Sequence, residues 1–68
     1  MTKMYRIRGE NPYTGRDVFA TTCWYRDIED AKQTERIFKS DDRWKNVRIV
    51  EMDIEEYQRI HQKNPKFC

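Results

Sequence analysis

The sequence predicts an α+β fold of layout ββαβα, with a three-stranded antiparallel sheet in the order 2-1-3, one packed helix and a C-terminal helix. Three observations predict it. Residues 4–8, Met-Tyr-Arg-Ile-Arg, alternate at the period of a strand. Residues 44–52 alternate again, after a stretch at 16–25 rich in β-branched and aromatic types. Two segments, Asp27-Ile28-Glu29-Asp30 and Asp53-Ile54-Glu55-Glu56, carry the same acidic helix-start chemistry. With 68 residues, the chain is expected to form a single domain over 1–68.

In the first strand Tyr5 and Ile7 share one face, while Met4, Arg6 and Arg8 share the other. Gly9-Glu10-Asn11-Pro12-Tyr13-Thr14-Gly15 follows. Asn-Pro initiates a turn, and Gly15 can take the positive φ that closes one. Residues 16–25 are the expected second strand, completing a β-hairpin. Asp27 is placed to cap a helix running to about Lys39, with acids in the first turn that suit the positive end of the helix dipole. Ile28, Ala31, Thr34, Glu35 and Phe38 fall on one stripe of that helix. Ile37 lies off the stripe, which implies either a compromise in packing register or a contact with a partner. Ser40-Asp41-Asp42 ends the helix.

In the third strand Val47 and Ile49 share one face, and Arg48, Val50 and Met52 the other. Asp53 caps the second helix, with Glu56 at the third position in the manner of a capping box. Ile54, Tyr57 and Ile60 or His61 line one face of it. Asn64-Pro65 stops it, and Lys66-Phe67-Cys68 is expected to be loose. A right-handed crossover through the first helix places strand three beside strand one.

Composition narrows the function classes. The chain has no leucine, and 38% of its residues are charged. Fourteen basic against 12 acidic residues leave a net charge of only +2. Disordered segments combine low hydrophobicity with few aromatics, but this chain has three Phe, two Trp and four Tyr. The core is therefore expected to be β-branched and aromatic, with Tyr5, Phe38 and one or both tryptophans carrying much of it. The pI of about 8.6 falls short of that of a strongly basic nucleic-acid binder. No apolar run suits a membrane helix, and the N-terminus meets Arg6 and Arg8 too soon for a signal peptide. Two cysteines, Cys23 and Cys68, are too few for a disulfide scaffold. They are expected to be reduced, in a cytoplasmic setting.

No catalytic constellation is visible. Ser40 has no histidine near it in sequence, and His61, the single histidine, reads as an ordinary helix residue. Cys23, His61 and Cys68 lack the paired spacing of a zinc site. Gly9 and Gly15 precede Arg16-Asp17, not the Lys-Ser or Lys-Thr of a phosphate loop. The adjacent carboxylates Asp41-Asp42 and Glu55-Glu56 do not face one another on a helix. The chain is accordingly expected to be non-enzymatic, with no catalytic residues, no metal and no cofactor.

Two surfaces stand out. If Tyr5, Ile7, Val47 and Ile49 face the first helix, then Arg6, Arg8, Arg48, Val50 and Met52 emerge on the other side. Either Phe19, Cys23 and Tyr25 or Val18, Ala20 and Trp24 join them. An arginine and aromatic face can stack bases and meet phosphates, unless the second helix covers it. The hairpin tip, Tyr13-Thr14-Gly15-Arg16, offers the residue types most enriched in binding hot spots.

The layout resembles two groups of proteins. Tyr5-Arg6-Ile7-Arg8, Thr14-Gly15-Arg16 and the acid-started segment Asp27–Ala31 resemble the arm-type DNA-binding modules of tyrosine integrases, which read DNA with an open sheet face. This chain is less basic and adds a strand and a helix. The strand, strand, helix, strand order over residues 4–52, with Trp24-Tyr25-Arg26-Asp27-Ile28-Glu29-Asp30 as an aromatic strand end running into an acidic helix start, is similar to small phage proteins that bind host machinery, such as the RNA-polymerase inhibitor of podophages. This second resemblance implies a small accessory factor of phage or mobile-element type that docks on a larger host protein or nucleoprotein complex and modulates or inhibits it. The alternative is a nucleic-acid-binding module using the sheet face. Contact is expected from Arg6, Arg8, Tyr13, Arg16 and Arg48. No membrane partner is expected, and the chain is expected to be a monomer or a weak homodimer, paired if at all through the edge of strand two.

Overall fold

A computed structural model describes residues 2–68. Strand β1 (Lys3–Glu10) lies at the centre, between β2 (Asp17–Phe19) and β3 (Lys45–Asp53), in a sheet of order β2-β1-β3 with both pairings antiparallel. Helix α1 (Ile28–Lys39) connects β2 to β3, and α2 (Ile54–His61) follows β3 directly. The α+β, ββαβα layout is the one the sequence predicts.

Both helices begin at the predicted aspartate caps, but at Asp53 the bond goes to Glu55 and not to Glu56 as a capping box would have it. The Asp27 carboxylate accepts from the Glu29 N–H at 2.9 Å, and the Asp53 carboxylate accepts from the Glu55 N–H at 2.8 Å. Each cap satisfies one of the amide groups that a helix start leaves without a partner. Asp53 is also the last residue of β3, so strand and helix meet without a loop. Gln62 closes α2 in the left-handed region, at φ 55°.

The ladder assigns the faces. Arg8 stands opposite Arg48, Arg6 opposite Val50 and Met4 opposite Met52 on one face; Ile7 stands opposite Ile49 and Tyr5 opposite Glu51 on the other. Helix α1 covers the second face. Ala31 is fully buried there, the Thr34 hydroxyl donates to the Tyr25 hydroxyl at 2.9 Å, and Phe38 meets Trp44 edge-on at 5.1 Å. A Cβ on Gly9 would come within 3.1 Å of a Val47 methyl and 3.3 Å of the Trp44 ring, tighter than ordinary van der Waals contact, so glycine lets the strand and these side chains approach closely. Between the pairs Arg8–Arg48 and Glu10–Lys45 the register slips by one residue, which leaves Asn46 and Val47 together opposite Gly9. Asn46 absorbs the bulge in the left-handed region, at φ 55°.

Strand two is much shorter than residues 16–25. It ends at Phe19, and the chain rejoins β1 only where Tyr5 and Tyr25 exchange backbone bonds of 2.8 and 2.7 Å. The intervening bulge is held by Arg6. Its Nε and Nη2 donate to the Thr21 carbonyl at 2.8 and 2.6 Å, replacing a ladder bond with a side chain. Ala20 still bonds Ile7. The chain from Ala20 to Tyr25 is therefore three residues longer than the regular match to β1 between Ile7 and Tyr5 would need. An odd excess reverses side-chain parity. Phe19 and Trp24, which a continuous strand would send to opposite faces, sit together with ring centroids 5.6 Å apart. Neither of the two alternating sets expected for this strand occurs.

The tail is ordered, which corrects the expectation of a loose end. Trp24 donates to the Lys66 carbonyl at 2.8 Å and accepts from the Cys68 N–H at 3.0 Å, a parallel bridge centred on Phe67. Cys23 and Cys68 form a disulfide with Cα atoms 5.3 Å apart. The expectation of reduced cysteines is overturned, and with it the cysteine argument for a reducing compartment. Among the described residues no helix is long and apolar enough to cross a membrane.

Candidate functional site

The arginine face divides into two halves. At one end Met4 is fully buried, and α2 lays Tyr57 edge-on against Trp24 at 6.0 Å. The second helix therefore covers this half, and Met4 joins the core instead of lining an open surface. At the other end Arg8, Arg48 and Phe19 stay partly exposed.

Arg6 sits at the junction and is consumed by the fold. Its guanidinium lies 4.0 Å from the Phe19 ring centroid and 5.4 Å from that of Trp24, while it holds the Thr21 carbonyl. Burial lowers its pKa, as expected for a charge taken partly out of water.

Arg8 and Arg48 are held by Asp17. Arg48 donates to both carboxylate oxygens, at 2.8 and 2.7 Å, and Arg8 Nε donates to one of them at 3.2 Å. A second Arg8 nitrogen reaches the Asp17 carbonyl at 3.0 Å. The bond from Arg48 is the main cause that lowers the Asp17 pKa to about 2, and Asp17 in turn raises that of Arg48. This half of the face carries one net positive charge from its two arginines and one aspartate. Phe19 stacks under Arg8, 4.6 Å from guanidinium to centroid.

The hairpin tip lies about three rungs further along the ladder, on the order of 10 Å away. It is braced internally. Asn11 N–H donates to Arg16 O at 2.8 Å, and Gly15 N–H to Asn11 O at 2.7 Å. The Asn11 side chain accepts from the Tyr13 N–H at 2.7 Å, and the Thr14 hydroxyl accepts from the Arg16 N–H at 3.3 Å. Gly15 has φ 72° with open space where a Cβ would point, so it is the backbone angle that selects glycine here. On this frame Tyr13 is 84% exposed, and Arg16 is exposed beside it.

Arg43, which the sequence did not single out, joins the tip from the α1–β3 loop. It chelates Asp41 at 2.9 and 3.1 Å, and this pairing, with a smaller contribution from Tyr13, raises its pKa. Glu10, Asn11, Pro12, Gly15, Arg43 and Lys45 line a shallow groove of about 260 Å³ beside the tip. Nothing in the local sequence around Arg43 signals this, because the proximity comes from pairing of residues far apart in the chain.

One other concavity lies at a helix start. The hollow at the start of α2 is lined by Asp53, Glu55, Glu56 and Arg59, and the Asp53 carboxylate there is occupied as a helix cap. His61 stacks on Tyr57 at 4.4 Å. Among the described residues no group of three His, Cys, Asp or Glu side chains could hold a metal ion. Comparison with protein-family models, with curated proteins and with solved structures finds no match to this chain.

Proposed function

We propose that the chain is a small non-enzymatic binding protein that docks on a larger macromolecular partner through its hairpin tip. Tyr13 is the anchor, and Arg16 and Arg43 flank it. The observation that carries this reading is a tyrosine 84% exposed on a turn fixed by its own hydrogen bonds. An aromatic held out from a rigid turn loses little conformational freedom on binding, so more of its burial energy appears as affinity. Tyr and Arg are also the types that dominate hot spots, at about 2 kcal/mol or more each. The resemblance to small phage inhibitors gives the reading its concrete form, an accessory or inhibitory factor acting on a host machine.

The test is a comparison of two baits, wild type and Tyr13→Ala, in bacterial lysate. A protein recovered near stoichiometry by the wild type and at least about tenfold less by the variant supports the reading. Equal recovery moves the site away from the tip. No recovered partner counts against docking altogether.

The alternative, nucleic-acid binding by the sheet, is favoured by the Arg8–Phe19 stack. It is the weaker reading because α2 covers one half of the face, Arg6 is occupied, and Asp17 offsets one of the two remaining arginines. A low-salt anisotropy titration showing no binding tighter than about 10⁻⁴ M would remove it.

A further inference from the structure

The two margins of the sheet are treated differently. On the β2 side, Trp24 bonds the tail at Lys66 and Cys68, so the tail lies along that edge and the disulfide fastens it. On the β3 side the edge is bare. Tyr5 and Ile7 direct their backbone groups at Tyr25 and Ala20, so Met4, Arg6 and Arg8 direct theirs at β3, toward Met52, Val50 and Arg48. Alternation then turns the N–H and C=O groups of Val47, Ile49 and Glu51 outward. Among the described residues these groups have no backbone partner in a turn, loop or neighbouring element. Helix α2 packs its Tyr57 against Trp24, toward the opposite margin. A row of unpaired backbone groups is a template for another strand.

We propose that the β3 edge pairs with the β3 edge of a second copy of this chain, antiparallel about a two-fold axis at Ile49, making one continuous sheet. Parity and charge select the register. A two-fold axis normal to the sheet must pair residues of the same face, so it passes through a residue and not between two. An axis at Arg48 would set Arg48 against Arg48, and an axis at Glu51 would set Glu51 against Glu51, both unfavourable. An axis at Val50 would pair Val47 with Asp53, whose backbone already turns into α2. An axis at Ile49 pairs Ile49 with itself, Val47 with Glu51 and Arg48 with Val50. Every outward group is then used and no like charges are opposed. The bulge at Asn46 blunts the edge beyond Val47 and limits pairing to residues 47–51. The three residues of β2 offer no comparable edge, so strand three takes the role expected of strand two.

The proposal is independent of the hairpin-tip reading. Its test uses the oxidised, intact chain. Sedimentation from about 10 µM to about 1 mM should show a mass rising toward twice that of the monomer, as expected for a weak association. Over the same range, hydrogen exchange at the Val47, Ile49 and Glu51 amides should slow at least about tenfold as pairing occupies these groups. Glu51→Pro removes an outward N–H without breaking an internal bond, since edge strands tolerate proline there. It should stay monomeric with an unchanged circular-dichroism spectrum. If that variant unfolds, the exchange data decide alone. A constant monomer mass overturns the proposal. So does association that leaves the three amides unprotected. Protection that appears only when a different protein is added assigns the edge to a foreign strand and also overturns self-pairing.

Discussion

Arg8 and Arg48 stand directly opposite one another on paired strands, and the Asp17 carboxylate bonds both. Without that anion the pair would be a cross-strand repulsion. Asp17 opens β2, so the ion cluster also fixes the short strand to the sheet. The Asp17 pKa falls from 3.8 to about 2 on folding. Its contribution is thus complete above the unfolded value and lost as pH drops through the folded one. Urea midpoints of the wild type should decline between pH 4 and pH 2 more steeply than those of Asp17→Asn, which should start lower at neutral pH. Parallel pH profiles for the two proteins would show that the cluster contributes nothing.

Reducing the Cys23–Cys68 bond should destabilise the chain markedly. The bond joins residues 45 apart in sequence. Loop-closure entropy for a loop of that size is worth about 4 kcal/mol in the chain-entropy model, a large part of the stability expected of a domain this small. Urea unfolding with and without a dithiol reductant measures it. The double variant Cys23→Ser with Cys68→Ser should match the reduced protein. An unchanged midpoint on reduction would mean that the hydrogen bonds of the tail hold it without the bond.

Local signals were legible, and long-range ones were not. Asp27 and Asp53 announced both helix starts because a cap is written within a few residues. Alternation fixed the faces of β1 and β3, and the strand order followed from the crossover. Strand two was misread because the excess residues before Trp24 are shaped by Arg6, whose grip on Thr21 no pattern within 16–25 reveals. The tail and the disulfide depend on a contact across the chain. The sequence leaves open whether the second helix covers the arginine face, because the path of α2 is set by packing of Tyr57 on Trp24. At the candidate site, Tyr13 and Arg16 were readable from turn chemistry, whereas Arg43 arrived through tertiary structure.

The two glycines should fail in different ways. Gly9→Ala places a methyl 3.1 Å from a Val47 methyl and 3.3 Å from the Trp44 ring, so these side chains must give by a few tenths of an ångström, at a cost of up to about 3 kcal/mol and with a change in tryptophan emission. Gly15→Ala meets no atom but must hold φ 72°, which costs about 1–2 kcal/mol and leaves the emission alone. Gly15→Asn should recover part of that loss, because asparagine tolerates the left-handed region. Chemical denaturation followed by fluorescence separates the cases. Equal spectra for the two alanine variants would place Trp44 further from Gly9 than the structure has it.

Arg6 should prove structural and not a contact residue. Its guanidinium fills the angle between Phe19 and Trp24 while two of its N–H groups bind one carbonyl. Lysine keeps the charge but has a point-like head that cannot make both bonds and stack flat at once. Arg6→Lys should therefore cost about 1.5–3 kcal/mol, the range for a hydrogen bond to a charged group. Because the bulge at Thr21 then loses its anchor, Trp24 and Tyr25 should become freer relative to β1, and amide exchange at Tyr25 should quicken. Arg16→Lys at the exposed tip should change stability by less than about 0.5 kcal/mol, as for other surface sites. If Arg6→Lys is equally silent in denaturation but weakens partner capture, Arg6 belongs to the interface, and the open half of the arginine face is larger than the packing of Phe19 and Trp24 implies.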